Sequence, residues 1–295
     1  MSDPSAPETQ PVPSGPSYEP KVPPAPAATL KKVRVRHIRE MKQLGRPVVM
    51  ATAYDAPMAA LADEGGMDML LVGDSVGMVV HGMDTTLPVT MEMMILHTQA
   101  VVRGSKRCLI VTDLPFMSYQ VDPLEAVRNA GRLVKEGGAE AVKLESHNAL
   151  TLETIARIRE AGIPVMGHIG LVPQSIHMLG GYRVQGRGDE EGERLIMLAE
   201  GVEKAGAFSV VLEGIPAPLA KRITDHLHIP TVGIGAGAGC DGQVLVSHDL
   251  LGYTTHPPKF VKQYVDLHAA SVRAFRKYGR DVRERLFPDA EHQYD

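Results

Sequence analysis

Tryptophan is absent from the 295-residue chain, and the other aromatics are few, with five Phe and eight Tyr. So sparse a set argues against a stacking platform for bases or sugars. Charge of one sign is lacking too: 31 Lys+Arg stand against 35 Asp+Glu, a formal charge of −4, with no basic stripe of the kind a nucleic-acid binder carries. The two cysteines, Cys108 and Cys240, are too few for a disulfide framework and show no CxxC spacing, which suits a reduced, cytoplasmic chain. No run approaches the roughly 18 apolar residues of a membrane span, and the N-terminus has neither the basic patch nor the apolar core of a signal peptide. The expectation is a soluble protein with no membrane or nucleic-acid partner.

What is present is an ordinary globular composition, 44% hydrophobic and 22% charged. Residues 1–29 are the exception, holding nine of the 22 prolines among Ser, Glu, Ala and Thr. Such a segment cannot bury enough apolar surface to offset its ordering entropy, so a disordered tail is expected there. Residues 30–295 are expected to form a single folded unit, beginning with the amphipathic stretch RVRHIREMKQLG that Gly45 ends.

From there one pattern repeats: a short apolar run closes on Gly, Asp, Glu or Pro, and a helical stretch follows. The runs are VVMATAYD (48–55), MLLVGDS (69–75), CLIVTDLP (108–115), AVKLES (141–146), PVMGHIG (164–170), SVVLEGIP (209–216) and PTVGIGAG (230–237). Their starts advance by about 30 residues, the length of a βαβ unit. QVLVSHDLLG (243–252) is a plausible eighth strand, with too short a gap before it for a crossover helix. Stretches such as 123–138 and 190–206 carry apolar residues at three- and four-residue steps, and 273–286 returns to helix. Seven or eight such units over about 250 residues match a (β/α)₈ barrel. An open doubly wound sheet shares the local pattern, but usually brings a second domain, and no composition break marks one here.

In either architecture chemistry belongs at the C-terminal strand ends. Those ends are Asp55, Asp74 with Ser75, Asp113, Lys143 with Glu145, His168 and Glu213. Period-two alternation puts Leu70, Val72 and Asp74 on one face, and likewise Leu109, Val111 and Asp113. Lys143 and Glu145 share a face, as an internal ion pair or as part of a site, with Val142 and Leu144 turned to the helices. Asp74, Asp113 and Glu145 offer three hard oxygen donors that would repel without a cation, which favours Mg²⁺. Glu213, alone between VVL and GIP, suits a general base whose pKa apolar surroundings would raise. His168 is either an auxiliary donor to substrate or a satisfied core histidine. GIGAGA (233–238) fits a relaxed dinucleotide fingerprint only weakly and reads better as a tight turn or an anion loop. The Gly-rich stretch 179–193 is a candidate lid, with Arg183 and Arg187 able to meet an anionic group. These features support a Mg²⁺-dependent barrel enzyme acting on a small oxo acid.

The strings VGDSVGMVVHGMDTTLPVT (72–90), TDLPFMSY (112–119), GHIGLVPQSIHMLGGYRVQGRGDE (167–190) and VGIGAGAGCDGQVLV (232–246) closely resemble the ketopantoate hydroxymethyltransferase family. The resemblance runs from about residue 31 to the C-terminus. It implies a barrel of the phosphoenolpyruvate/pyruvate superfamily type that transfers a hydroxymethyl group from 5,10-methylenetetrahydrofolate to 3-methyl-2-oxobutanoate, giving 2-dehydropantoate for pantothenate synthesis. Position by position it implies Mg²⁺ carboxylates at Asp74 and Asp113, with Glu145 third and acting through water. It implies oxo-acid contacts at Asp74, Ser75, Asp113 and Lys143, and a proton acceptor at Glu213. It also implies a homodecamer of two pentamer rings. The chain departs from the family pattern where Ser146 and His147 replace two glycines and Ala56 replaces an aromatic. Three rival readings remain: mutase- or lyase-type C–C or C–P chemistry on a similar barrel, a Schiff-base aldolase using Lys143, and a non-catalytic oxo-acid binder.

Overall fold

The computed structural model describes residues 31–294, so the expected disordered tail lies outside the described residues. Eight parallel strands close in sequence order: β1 (Val48–Thr52), β2 (Met69–Val72), β3 (Leu109–Asp113), β4 (Ala141–Glu145), β5 (Val165–Gly170), β6 (Ser209–Glu213), β7 (Thr231–Ile234) and β8 (Gly242–Leu245), with β8 pairing back onto β1. Closure excludes the open sheet. Between and around the strands run α1 (Val35–Gln43), α2 (Ala56–Glu64), α3 (Val76–Val79), α4 (Met91–Gly104), α5 (Pro123–Arg132), α6 (Ala149–Glu160), α7 (Ile176–Leu179), α8 (Asp189–Lys204), α9 (Ala217–His226), α10 (Ser247–Leu250) and α11 (Leu267–Arg283). No described helix is long and apolar enough to cross a membrane.

The strand alternation sorts the apolar residues into two cores. Met50, Met69, Leu71, Leu109, Val111, Met166, Val211 and Val244 fill the barrel interior. Leu70, Val72, Ile110, Val142, Leu144, Val165, Val210 and Leu212 face outward beneath the helices. Ile38 and Met41 of α1 join the interior cluster together with Val33 and Phe208, each burial worth about 1.5–3 kcal/mol. α1 is also tied to the β7–β8 link, since Lys42 Nζ donates to Asp241 Oδ2 at 2.8 Å and to the Thr224 carbonyl at 2.9 Å. That link carries no helix, as its length requires. Gly235 and Gly237 take φ of +61° and +79° in it, and β8 follows directly, so GIGAGA is a tight turn and not a dinucleotide loop.

Local signals place the helix starts. Asp55, Thr90, Asp122, Asn148 and Asp266 each accept a backbone N–H in the first turn of the helix that follows. Asp55 is therefore the exposed cap of α2, bonded to the Met58 N–H at 2.7 Å, and not a group in the barrel mouth as its strand-end position suggested. The stretch 123–138 is one α-helix only as far as Arg132 and then widens into a π-turn over Leu133–Gly137. Asp63, at the end of α2, gathers the segment leading into β3. Its carboxylate accepts from the N–H groups of Lys106 at 2.7 Å, Arg107 at 3.0 Å and Cys108 at 3.2 Å.

Candidate active site

The strand ends open into a cavity of about 800 Å³ whose walls include Asp74, Ser75, Asp113, Lys143, Glu145, His168 and Glu213. Of the strand-end candidates all but Asp55 are thus brought to one mouth. Asp113, Lys143, Glu145, His168 and Glu213 arrive by strand alternation, being in phase with the interior residues Val111, Ala141, Met166 and Val211. Asp74 arrives differently. Leu70 and Val72 face the helices, so continued alternation would carry Asp74 away from the mouth. β2 instead stops at Val72, and the turn at Gly73 brings Asp74 round. A Cβ on Gly73 would come within 2.7 Å of Ser75 Oγ, so only glycine fits that turn unchanged.

Lys143 is buried and its Nζ lies 2.8 Å from Asp113 Oδ1. The internal ion pair therefore forms between β3 and β4, where Asp113 and Lys143 are in register, and not between Lys143 and Glu145. Burial works against the ammonium, but the charges of Asp113 and Asp74 outweigh it and raise its pKa, so it stays protonated. His168 Nδ1 lies 3.5 Å from Lys143 Nζ, and its Nε2 lies 3.2 Å from Glu213 Oε2. Burial first, and then the Lys143 charge, lower the His168 pKa, so the ring is neutral. An ammonium facing Nδ1 leaves the proton on Nε2, toward Glu213. Glu213 therefore does not stand alone: a neutral imidazole lies beside it at the cavity wall, although no aligned hydrogen bond joins the two.

Asp74, Asp113, Glu145 and Glu213 crowd around the single lysine of this pocket, whose walls also include Asp249. Asp74 is pushed up to about 7, first by burial and next by the Asp113 charge. Burial and Asp74 likewise raise Glu145 well above the usual carboxylate range. Two like charges about 4 Å apart repel by roughly 4 kcal/mol at an effective dielectric of 20, several times the net worth of a hydrogen bond. Either protons or further positive charge must settle the cluster. Asp113 Oδ1 is fully buried with no hydrogen-bond donor aligned on it, and its Oδ2 accepts only from the Asp74 N–H at 3.1 Å. Among the described residues no three His, Cys, Asp or Glu side chains gather as a ready-made cage. Two hard carboxylates with an excess of negative charge nevertheless fit Mg²⁺, which takes one or two carboxylates and completes its shell with water and substrate oxygens.

Sequence reasoning passed over the residues that hold these groups in place. Gln174, in the 3₁₀ turn Pro173–Ser175, donates from its backbone N–H to both Glu145 oxygens and from Nε2 to Asp74 Oδ2 at 2.8 Å. Tyr119 OH donates to Gln174 Oε1 at 2.8 Å and accepts the Glu145 N–H at 3.1 Å. The loop carrying Tyr119 puts Met117 at φ +64°, a conformation costing a non-glycine residue about 1–3 kcal/mol, held by Ser118 Oγ donating to the Pro115 carbonyl at 2.6 Å. Tyr54 OH pairs with Ser75 Oγ at 2.8 Å. An uncharged loop residue carries no periodic or electrostatic mark. The only hint of Gln174 was its place in the string PQSIHMLGGYRVQGR.

Of the candidate lid, Tyr182, Arg183 and Val184 line the cavity and Arg187 does not. Ser146 and His147 form the turn into α6, where the Ser146 N–H donates to the His168 carbonyl at 2.7 Å. Ala56 opens α2 with its backbone against Gly104 of α4, too close for any side chain at residue 104.

The family model for ketopantoate hydroxymethyltransferase matches residues 32–290. The chain is 55% identical over 268 residues to the 3-methyl-2-oxobutanoate hydroxymethyltransferase of Moorella thermoacetica, covering 90% of this chain and 99% of that one. It is 54% identical over 265 residues to the enzyme of that name from Syntrophus aciditrophicus, covering 90% and 97%. Among solved structures it superposes on a phosphonopyruvate hydrolase complexed with oxalate and Mg²⁺ with a TM-score of 0.59 at 12% identity, covering 88% of this chain and 93% of that one. It superposes on 2,3-dimethylmalate lyase, a member of the phosphoenolpyruvate mutase/isocitrate lyase superfamily, with a TM-score of 0.57 at 18% identity, covering 84% and 88%. At such identities these two establish the barrel type alone. By the extent of the family match and the level of identity, the chain belongs to the ketopantoate hydroxymethyltransferase family of one-carbon-transferring enzymes.

Proposed function

We propose that this chain transfers a hydroxymethyl group from 5,10-methylenetetrahydrofolate to C3 of 3-methyl-2-oxobutanoate, forming 2-dehydropantoate for pantothenate synthesis. The observation that carries the reading is the Glu213–His168 pair facing the same cavity as the Lys143 ammonium. One offers a carboxyl group to take up a proton, the other a fixed positive charge, and enolisation of an oxo acid needs both.

Glu213 takes the C3 proton, with the neutral His168 ring beside its carboxylate and Lys143 on the far side of that ring. Lys143 supplies positive charge to the oxygen on which the enolate develops, and Ser75 is placed to donate to the oxo acid. Asp74 and Asp113 would hold Mg²⁺, with Glu145 reaching it through water, and when bound the ion draws electron density from the 2-oxo and carboxylate oxygens. The enolate C3 then bonds to the one-carbon unit as that carbon's bonds to the folate nitrogens break. One water supplies the hydroxyl oxygen, and tetrahydrofolate leaves. A cavity of about 800 Å³ exceeds what a five-carbon acid fills, which leaves room for the carbon donor beside Tyr182, Arg183 and Tyr253. Lys143 is held protonated against Asp113, which speaks against a Schiff base at that residue. The same reading carries a cytoplasmic location and an assembly of two pentamer rings. In support of assembly, α11 buries none of its residues and exposes Phe275 and Tyr278.

Deuterium exchange at C3 of 3-methyl-2-oxobutanoate, followed by proton NMR with and without Mg²⁺, tests the reading. Wild type is expected to exchange in a Mg²⁺-dependent manner and Glu213→Gln to lose about 10²–10⁴-fold. Undiminished exchange in the variant would remove Glu213 from the role of base.

A further inference from the structure

We propose that Gln174 is a positioning residue for the reaction proposed above: it sets the placement of Asp74 and Glu145 by standing between them as a donor to both. The residue is 5% exposed, and its backbone N–H and both ends of its side-chain amide are hydrogen-bonded. Its backbone N–H donates to Glu145 Oε1 and Oε2 at 3.2 and 3.1 Å. Nε2 donates to Asp74 Oδ2 at 2.8 Å and to the Leu114 carbonyl at 2.9 Å. Oε1 accepts from Tyr119 OH at 2.8 Å and from Gln120 Nε2 at 2.9 Å.

This network fixes which way the amide points. Tyr119 OH already accepts the Glu145 N–H, so its own proton goes to Gln174 Oε1. The NH₂ group is then committed to two acceptors, Asp74 Oδ2 and the Leu114 carbonyl. A carboxylate at residue 174 could serve neither. A lysine or arginine could serve both, but would bring a positive charge beside Asp74 and compete with a cation for it. An amide donates without neutralising. Gln174 thus holds two mutually repelling carboxylates at a set separation while leaving the charge of Asp74 available. Its turn leads directly into α7 and the Gly-rich loop over the mouth, so the same contacts tether the start of that loop to the carboxylates.

The test compares wild type with Gln174→Met, of similar length and without donor or acceptor, and with Tyr119→Phe, which deletes only the hydroxyl. Three readouts are taken: kcat and KM for the oxo acid and for the folate, the Kd of Mn²⁺ from the EPR signal of the free ion, and crystal structures without ligands. Gln174→Met is expected to lose about 10–100-fold in kcat and to bind Mn²⁺ about tenfold more weakly, with KM for the folate within about two-fold of wild type. Asp74 and Glu145 should rotate apart in its crystals, and Tyr119→Phe should move the same quantities in the same direction by less. A merely structural role would lower the number of Mn²⁺ sites and the active fraction together and leave Kd unchanged, which overturns the proposal. Carboxylates unmoved in the variant crystals overturn it as well. If Gln174→Met does not fold, Tyr119→Phe decides, and wild-type kcat and Mn²⁺ affinity in that variant count against the role. A wild type that neither transfers the hydroxymethyl group nor binds Mn²⁺ would end the proposed reaction, and the crystal structures would still judge the placement.

Discussion

The Nζ of Lys143 lies 2.8 Å from Oδ1 of Asp113, and this pair joins adjacent strands at the floor of the cavity. Both side chains are almost wholly buried, so the pair is electrostatically strong and costly to break on one side only.

Lys143→Met should therefore destabilise the protein by about 3–5 kcal/mol, because the Asp113 charge is left without compensation. The double variant Lys143→Met/Asp113→Leu should regain most of that stability and remain inactive. Urea unfolding monitored by far-UV circular dichroism checks both. A single variant as stable as wild type would show that the pair does not bear on folding.

Asp63 gives the fold an acid-sensitive joint remote from the cavity. Burial pushes its carboxyl up, but the Cys108 thiol and the N–H groups of Lys106 and Arg107 outweigh it and hold the pKa below the ordinary 3.8. A lowered folded-state pKa means stability that is fully present above the unfolded value and lost as pH falls through the folded one. Asp63→Asn should cost about 1.5–3 kcal/mol at pH 7, the worth of hydrogen bonds to a charged group, and much less at strongly acid pH, where Asp63 itself becomes protonated. Unfolding midpoints of the two proteins at both pH values give the comparison, and a gap that does not narrow with acid would refute the linkage.

Removal of divalent ions is expected to abolish C3 exchange, and added Mg²⁺ to restore it. With Asp74 near 7, the metal-free protein should also take up a proton at this cluster on mild acidification, and Mg²⁺ should release it. Titration calorimetry in buffers of different ionisation enthalpy measures that proton. Exchange that survives complete chelation would shift the electrophilic role from the metal ion to Lys143.

The barrel was legible because its signals are local. Apolar runs of period two, separated by helical stretches of βαβ length, need no knowledge of the rest of the chain, and they put Asp113, Lys143, Glu145, His168 and Glu213 at strand ends on the inward phase. Alternation misassigned Asp74, whose inward position comes from a strand that stops at Val72 and a glycine that turns, and it could not tell that Asp55 leaves the mouth to cap α2. Partners were out of reach for a related reason. Lys143 shares a strand face with Glu145 in the sequence, yet inter-strand register sets Asp113 beside Lys143 and His168 beside Glu145. Register follows from closing eight strands into one barrel. The same closure seats Gln174, an uncharged residue of a short turn, between carboxylates carried by β4 and by the turn after β2. By itself the sequence determined which side chains stand at the strand ends, because alternation is a property of each strand alone. Only the tertiary structure decided which of them touch, because contact across a barrel depends on how all eight strands close.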